Sequence, residues 1–301
     1  MSERENIDLF SQAAVKSVKS GLDVGTWPVW ERYDVVEVDG GADSYLLAPQ
    51  DAAYEWVYPL RLPSLFLEFA RIADQEEITR EVWLDWAHRY GVLGLTLRDQ
   101  SDPVQVALFG HVREEGGPKE SFKEFVREAK EANWLLRLCE SYASPEGLDR
   151  FRFLEEASEI HGHRLPSGRV RMTPDDSREW ALSVVLNKVQ YYLQDCYPVI
   201  VPVEGGFAQG WAFHTLLSGM YLQMMWLLTA FTGEEDDVLR CKRPECTRVI
   251  TYKQPEQPKG LATRKNDRSG GYKTRRDKEF CSGRCRGLYH YHYVKKAKGR
   301  G

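Results

Sequence analysis

The 301-residue sequence has no apolar run long enough to cross a bilayer. Its most apolar stretch, "MYLQMMWLLTAF" at 220–231, has about twelve residues and includes Gln223, where a span needs about twenty. The opening "MSERENIDLFSQAAVKSVKSG" lacks the basic-then-apolar order of a secretory leader, so a cytoplasmic chain with no membrane partner is expected. No repeat with a period of 20–50 residues is visible, which argues against a solenoid. There is no glycine-rich phosphate loop after a strand, no Gly-x-Ser-x-Gly elbow and no His-Glu-x-x-His helix. The expectation is therefore of a protein that is not an enzyme. Cysteine is scarce, six in all, and in a reducing compartment clustered thiols are metal ligands rather than disulfides.

What is present is core-forming material and an uneven charge. Hydrophobic residues make up 42% of the chain and tryptophan occurs nine times, enough for a substantial core and against global disorder. The net charge of −4 hides a division. Of 41 basic and 45 acidic residues, 241–301 hold 18 and 5, leaving 23 and 40 for 1–240. A basic arm beside an acidic body points to a polyanionic partner, or to a tail that neutralises its own body. The polar stretch "TGEEDDV" (232–238) separates an acidic, mainly helical body at 1–236 from a basic segment at 237–301.

Within the body, residues 5–20 read as a short helix, and 33–49 as two apolar runs around Asp39-Gly40-Gly41, a hairpin. Apolar residues recur at helical spacing over 62–75, 78–94, 121–143 and 175–196, the last with Asp175 or Asp176 as candidate N-cap. "PVIVPVEGGFAQGWAFH" (198–214) reads as a second hairpin, followed by an apolar helix near 213–231. The fold class expected is mainly α (α+β): a helical N-terminal domain with small β-hairpins, then a small zinc finger.

Four of the six cysteines fall in the last 61 residues, as Cys241-x4-Cys246 and Cys281-x3-Cys285. Two short-spaced pairs, tens of residues apart, suit one tetrahedral zinc, since each pair closes a knuckle and the metal joins them. His290 or His292 could replace one thiolate. Ser282 is placed to cap a helix from Gly283 to about Lys296, with Cys285, Leu288, Tyr289 and His292 on one side. Arg284, Arg286, His290, Lys295 and Lys296 give that helix cations for phosphate or base contacts, and its tyrosines could stack on bases. Between the knuckles, 251–279 has no apolar periodicity and reads as a mobile loop. Its Arg264, Lys265, Arg268, Lys273, Arg275 and Arg276 are candidates for the phosphate backbone of DNA or RNA.

The order of an apolar helix, "VLRCKRPECTRVI", a basic interval and a second cysteine pair followed by Arg and His resembles the CGNR zinc-finger proteins. The stretches "LFLEFARIAD…VWLDWAHRYGVLGL" and "LNKVQYYL…PVIVPVEGG…WAFHTLLSGMYLQ" are similar to their ABATE-type N-terminal domain. The resemblance covers most of 60–301. It implies one structural zinc on Cys241, Cys246, Cys281 and Cys285 and a bacterial DNA-binding transcription regulator. The namesake tetrad reads Cys285-Arg286-Gly287-Leu288 here, and the interval between pairs is longer than the family's. Phe-Cys-Ser-x-x-Cys-Arg also resembles treble-clef fingers, which bind DNA, RNA or protein.

The body offers weaker signals. Glu155, Glu156, Glu159, His161 and His163 could ligate a metal, but read more readily as a helix end. His88 and His214 lie beside tryptophans and are expected to be packed or hydrogen-bonded in the core. The aromatics could line a small-molecule pocket, though filling a core is the commoner use; a homodimer partner is the other expectation for this part.

Overall fold

Helix forms in the body wherever apolar residues recur three and four positions apart. The computed structural model describes residues 25–38, 43–49, 51–62, 64–95, 119–142, 149–162, 174–203, 206–232, 238–246, 248–252 and 279–295. The helix expected at 5–20 and the Asp39-Gly40-Gly41 turn lie outside them. Within them the fold is α+β, with seven α-helices and nine short strands.

Strand β1 (Trp27–Trp30) pairs antiparallel with β4 (Tyr54–Val57), enclosing the hairpin of β2 (Asp34–Val38) and β3 (Asp43–Leu47), to which β5 (Lys119–Ser121) adds. Helices α1 (Leu65–Ala70), α2 (Arg80–Tyr90), α3 (Phe122–Tyr142), α4 (Arg150–His161) and α5 (Pro174–Leu193) lead to the hairpin of β6 (Cys196–Val203) and β7 (Gly206–Phe213). Helix α6 (Leu216–Thr232) follows, and then β8 (Val238–Arg240), β9 (Val249–Tyr252) and α7 (Gly283–Tyr289).

Three expectations are corrected. The helix drawn over 62–75 is α only for six residues and tightens to 3-10 geometry over Arg71–Asp74. Helix α5 opens at Pro174, whose missing N–H costs nothing in a first turn, so Asp175 and Asp176 lie inside that turn rather than capping it. The loop expected from 251 begins no earlier than 253, because Val249–Tyr252 is strand.

The core gathers on α3 and α6. Phe69 packs its ring 5.0 Å from Trp86 and 5.6 Å from Phe125, and Trp83 lies 5.3 Å from Phe122. Trp27, Trp83 and Trp86 are fully buried, so these tryptophans fill the core. Gln223 explains how α6 tolerates an amide inside an apolar run. Its Oε1 accepts from the Phe66 N–H at 2.9 Å, and its Nε2 donates to the Pro59 and Leu62 carbonyls at 3.2 and 3.1 Å. A buried amide so satisfied fixes the chain before α1 to the middle of α6. No helix among the described residues is long and apolar enough to cross a membrane.

Gly91 ends α2 at φ +87°, and a Cβ there would stand 2.7 Å from both the Pro28 carbonyl and Trp27 Nε1. The missing side chain lets the Trp27 indole donate to the Val92 carbonyl at 2.9 Å, which ties β1 to the end of α2.

Glu120 is fully buried between α2 and α3. Its carboxylate accepts from Trp83 Nε1 at 2.8 Å and from the Leu93 N–H. Burial pushes its pKa from 4.5 up to about 8 against the opposing pull of those two bonds, with the Glu124 charge adding to the rise. An acid raised in the folded state favours folding below its unfolded pKa, and that contribution is lost as pH climbs through the folded value. The urea midpoint of the wild type is therefore expected to fall between about pH 4.5 and about pH 8 and to level off above, and Glu120→Gln to flatten that fall. Glu120→Ala orphans two buried N–H donors and should cost roughly 2–4 kcal/mol in the same measurement.

Candidate metal centre

Cysteine supplies soft thiolate ligands in two close-spaced pairs, and the fold brings both pairs together. Strands β8 and β9 pair with Val238 opposite Tyr252 and Arg240 opposite Val249, shifting register between Leu239 and Arg240. The turn between them carries Cys241 and Cys246. The Cys241 N–H donates to the Arg248 carbonyl at 2.9 Å, and the Cys246 N–H to the Arg243 carbonyl at 2.9 Å, which curls the chain into a knuckle.

The second pair arrives through one backbone bond and one cap. The Lys242 N–H donates to the Glu279 carbonyl at 2.8 Å, laying 279–281 beside the knuckle. Ser282, extended at φ −152°, caps α7 as its position predicts, its hydroxyl accepting the Cys285 N–H at 3.2 Å. Phe280 closes a small apolar cluster with Cys241 and Cys285, and the Tyr289 ring packs on it at 5.2 Å.

All four Sγ atoms lie within 4.8 Å of one another, the only such group of three or more potential metal ligands among the described residues. Cys246 to Cys281 is 3.7 Å, Cys281 to Cys285 is 3.5 Å and Cys285 to Cys246 is 3.8 Å. A tetrahedron with metal–sulfur bonds near 2.3 Å has edges of about 3.8 Å, so the donor set fits a thiolate-bound metal ion. Burial raises the Cys281 and Cys246 thiols, reinforced in Cys281 by the hydrogen bond to Cys285. Cys285 is lowered to about 7: burial would raise it, but the Ser282 hydroxyl and the neighbouring thiols outweigh that. The Arg243 guanidinium stands 4.0 Å from Cys285 Sγ, a cation set against negative charge in the cluster.

Neither His290 nor His292 belongs to the group; both are exposed. Arg284 and Arg286 are exposed at the start of α7. The helix expected to reach Lys296 stays α only to Tyr289 and widens into a π-helical turn over His290–Lys295, where the Tyr293 hydroxyl meets Glu245. Arg264, Lys265, Arg268, Lys273, Arg275, Arg276 and Lys296 lie outside the described residues, as does His163.

In the body, His161 pairs with Glu131 at 3.3 Å, and Glu156 with Arg137 and Arg152, so the acidic helix end is occupied by its neighbours. His88 is exposed, not in the core, because it sits on the outer side of α2; its ring meets Tyr33 edge-on at 5.3 Å. His214 is buried as expected, packed on Tyr197, although its Nε2 has no hydrogen-bond partner.

The residues that sequence reading missed hold the knuckle from outside. Arg248 pairs with Asp74 through two bonds at 2.8 and 3.1 Å, and Glu140 on α3 accepts the Val249 N–H at 2.7 Å. The available signal was a glutamate directly after Cys139, on the apolar side of an amphipathic helix.

No family model, curated protein or solved structure matches the chain.

Cys281→Ser removes one corner of the tetrahedron and should drop the bound metal well below one ion per chain by elemental analysis after dialysis. Cys139 and Cys196 are buried away from the cluster, with thiols pushed up by burial, Cys196 to about 12. Serine at either should leave the metal count unchanged, and full metal retention by Cys281→Ser would count against the site.

Proposed function

We propose that the chain is a zinc-dependent nucleic-acid-binding protein, and more specifically a bacterial DNA-binding transcription regulator working in the cytoplasm. The observation that carries this reading is a close set of four thiols, two from a strand-turn-strand knuckle and two from the start of a helix and the chain just before it. Four soft sulfur donors with no other donor in the group favour one zinc ion in a closed structural role, holding the knuckle and helix together. A knuckle in the turn of a short hairpin, followed by a helix that brings the last thiol, supports reading this segment as a treble-clef-like finger.

The residues that would meet nucleic acid follow from their exposure. Lys242 pairs with Glu279, Arg243 with Glu245 and Arg248 with Asp74, so these cations are engaged within the protein. Arg284 and Arg286 point to solvent on the metal-anchored helix, with His290 one turn on. They are the cations we assign to phosphate or base edges, with the basic interval from Arg264 to Arg276 supplying salt-sensitive affinity. The body is proposed to sense a small molecule or to dimerise.

A second reading is favoured by Tyr291, 60% exposed and set against His292 at 5.1 Å. Aromatic faces turned to water stack on unpaired bases, which suits single-stranded RNA.

Titrating salt against binding to random duplex DNA tests the first reading. Affinity should fall steeply with salt, and Arg284→Ala with Arg286→Ala should reduce the log–log slope by about 2, with zinc content unaltered. Zinc-loaded protein that binds no duplex at low salt would overturn the DNA reading; selective binding to single strands would favour the second.

A further inference from the structure

The knuckle does not hang from the body by a tether. One peptide plane, between Arg248 and Val249, is held on both sides. Its carbonyl accepts the N–H of Cys241, a member of the thiol cluster, at 2.9 Å. Its N–H donates to the Glu140 carboxylate at 2.7 Å. A chain of two hydrogen bonds through a single peptide group therefore runs from the middle of the body to the backbone of the first cysteine. Bonds in series through a polarisable amide reinforce one another, and the low dielectric around them strengthens each.

The surroundings leave this link little freedom. Glu140 is buried at 4% exposure on α3, and Arg71, 3.7 Å from it, donates to the carbonyl of the same Val249. Both backbone groups of Val249 are thus met by body side chains, where the next strand of a sheet would otherwise stand. Val249 and Tyr252 belong to the main hydrophobic core, and the Tyr252 hydroxyl donates to the Gln223 carbonyl at 2.9 Å.

We infer that metal occupancy of the cysteine cluster and the folded state of the body form one linked equilibrium, with Glu140 as the positioning residue that joins them. This rests on reading the four cysteines as a metal site. Glu140 touches no sulfur; it acts by fixing the peptide that fixes Cys241. Linkage is reciprocal: whatever stability the body lends to the metal site, a bound metal returns to the body.

The chain carries its own reporter. All nine tryptophans lie at or before Trp226, so their fluorescence follows the body and not the finger. The experiment uses the full chain with zinc alone as ligand, measuring zinc affinity by competition with a chromophoric chelator and thermal unfolding by tryptophan emission, with and without the chelator. The wild type is expected to bind one zinc, and stripping it should lower the unfolding midpoint seen by the tryptophans. Glu140→Ala should weaken zinc at least about tenfold, and Glu140→Gln, which keeps a carbonyl acceptor for the Val249 N–H, should recover most of that loss. A wild type that binds no zinc sinks the metal reading and this inference with it. Zinc bound normally, but with a tryptophan midpoint indifferent to the chelator, overturns the linkage alone and needs no variant to fold. A folded Glu140→Ala protein with wild-type zinc affinity overturns the role of Glu140.

Discussion

A carboxylate taken out of water must be met by donors, and much of this molecule is arranged to meet that requirement along a single helix. Glu120, just before α3, takes the Trp83 indole of α2 and the Leu93 amide. Glu128 takes the Tyr192 hydroxyl of α5 at 3.0 Å; Glu131 takes Lys188 of α5 at 2.8 Å and His161 at the end of α4; Glu140 takes the Val249 amide of β9. Each acid is at most 4% exposed, and each therefore dictates where one neighbour must lie. Apolar packing holds α3 against α1, α4 and α5, but it is indifferent to small slides. The buried acids are not, and they give the packed helices a fixed register.

That division of labour sets what could be read from the sequence. Helices α2, α3 and α6 and the β6–β7 hairpin were legible because their patterns are local: apolar residues at helical spacing, or a β-branched run returning after Gly-Gly. The thiol cluster was legible for the same reason, two tight pairs being a signal that needs no knowledge of the fold. The β1–β4 pair was not, because its two four-residue strands are separated by an entire hairpin. Lys119–Ser121 has no apolar pattern at all and is strand only because Tyr45, Leu46 and Leu47 lie beside it. Glu140 is the clearest case. In sequence it is an acid on the apolar side of an amphipathic helix, with nothing to say what meets it; only the arrival of a strand from more than a hundred residues away makes it part of the thiol cluster's support.

The charge asymmetry between body and C-terminal segment also looks different once pairs are assigned. The cations nearest the knuckle are set against acids, Arg248 on the body's Asp74 and Lys242 and Arg243 on the segment's own glutamates. Of these cations Arg248 ties the cysteine-bearing segment to the body, while Arg284 and Arg286 at the helix start remain turned to solvent.

The seating of β9 in the body also bears on the order in which the protein is made. Cys241 and Cys246 are positioned by a strand whose partners, Arg71, Glu140 and Gln223, have all been synthesised earlier. The 35 residues from Cys246 to Cys281 take the ribosome roughly 2–7 s. The first thiol pair thus precedes the second along the chain, and every body residue that positions it precedes both. The late pair therefore joins a pair whose supports already stand in the chain, in contrast to a free finger whose two halves must find each other and the metal at once.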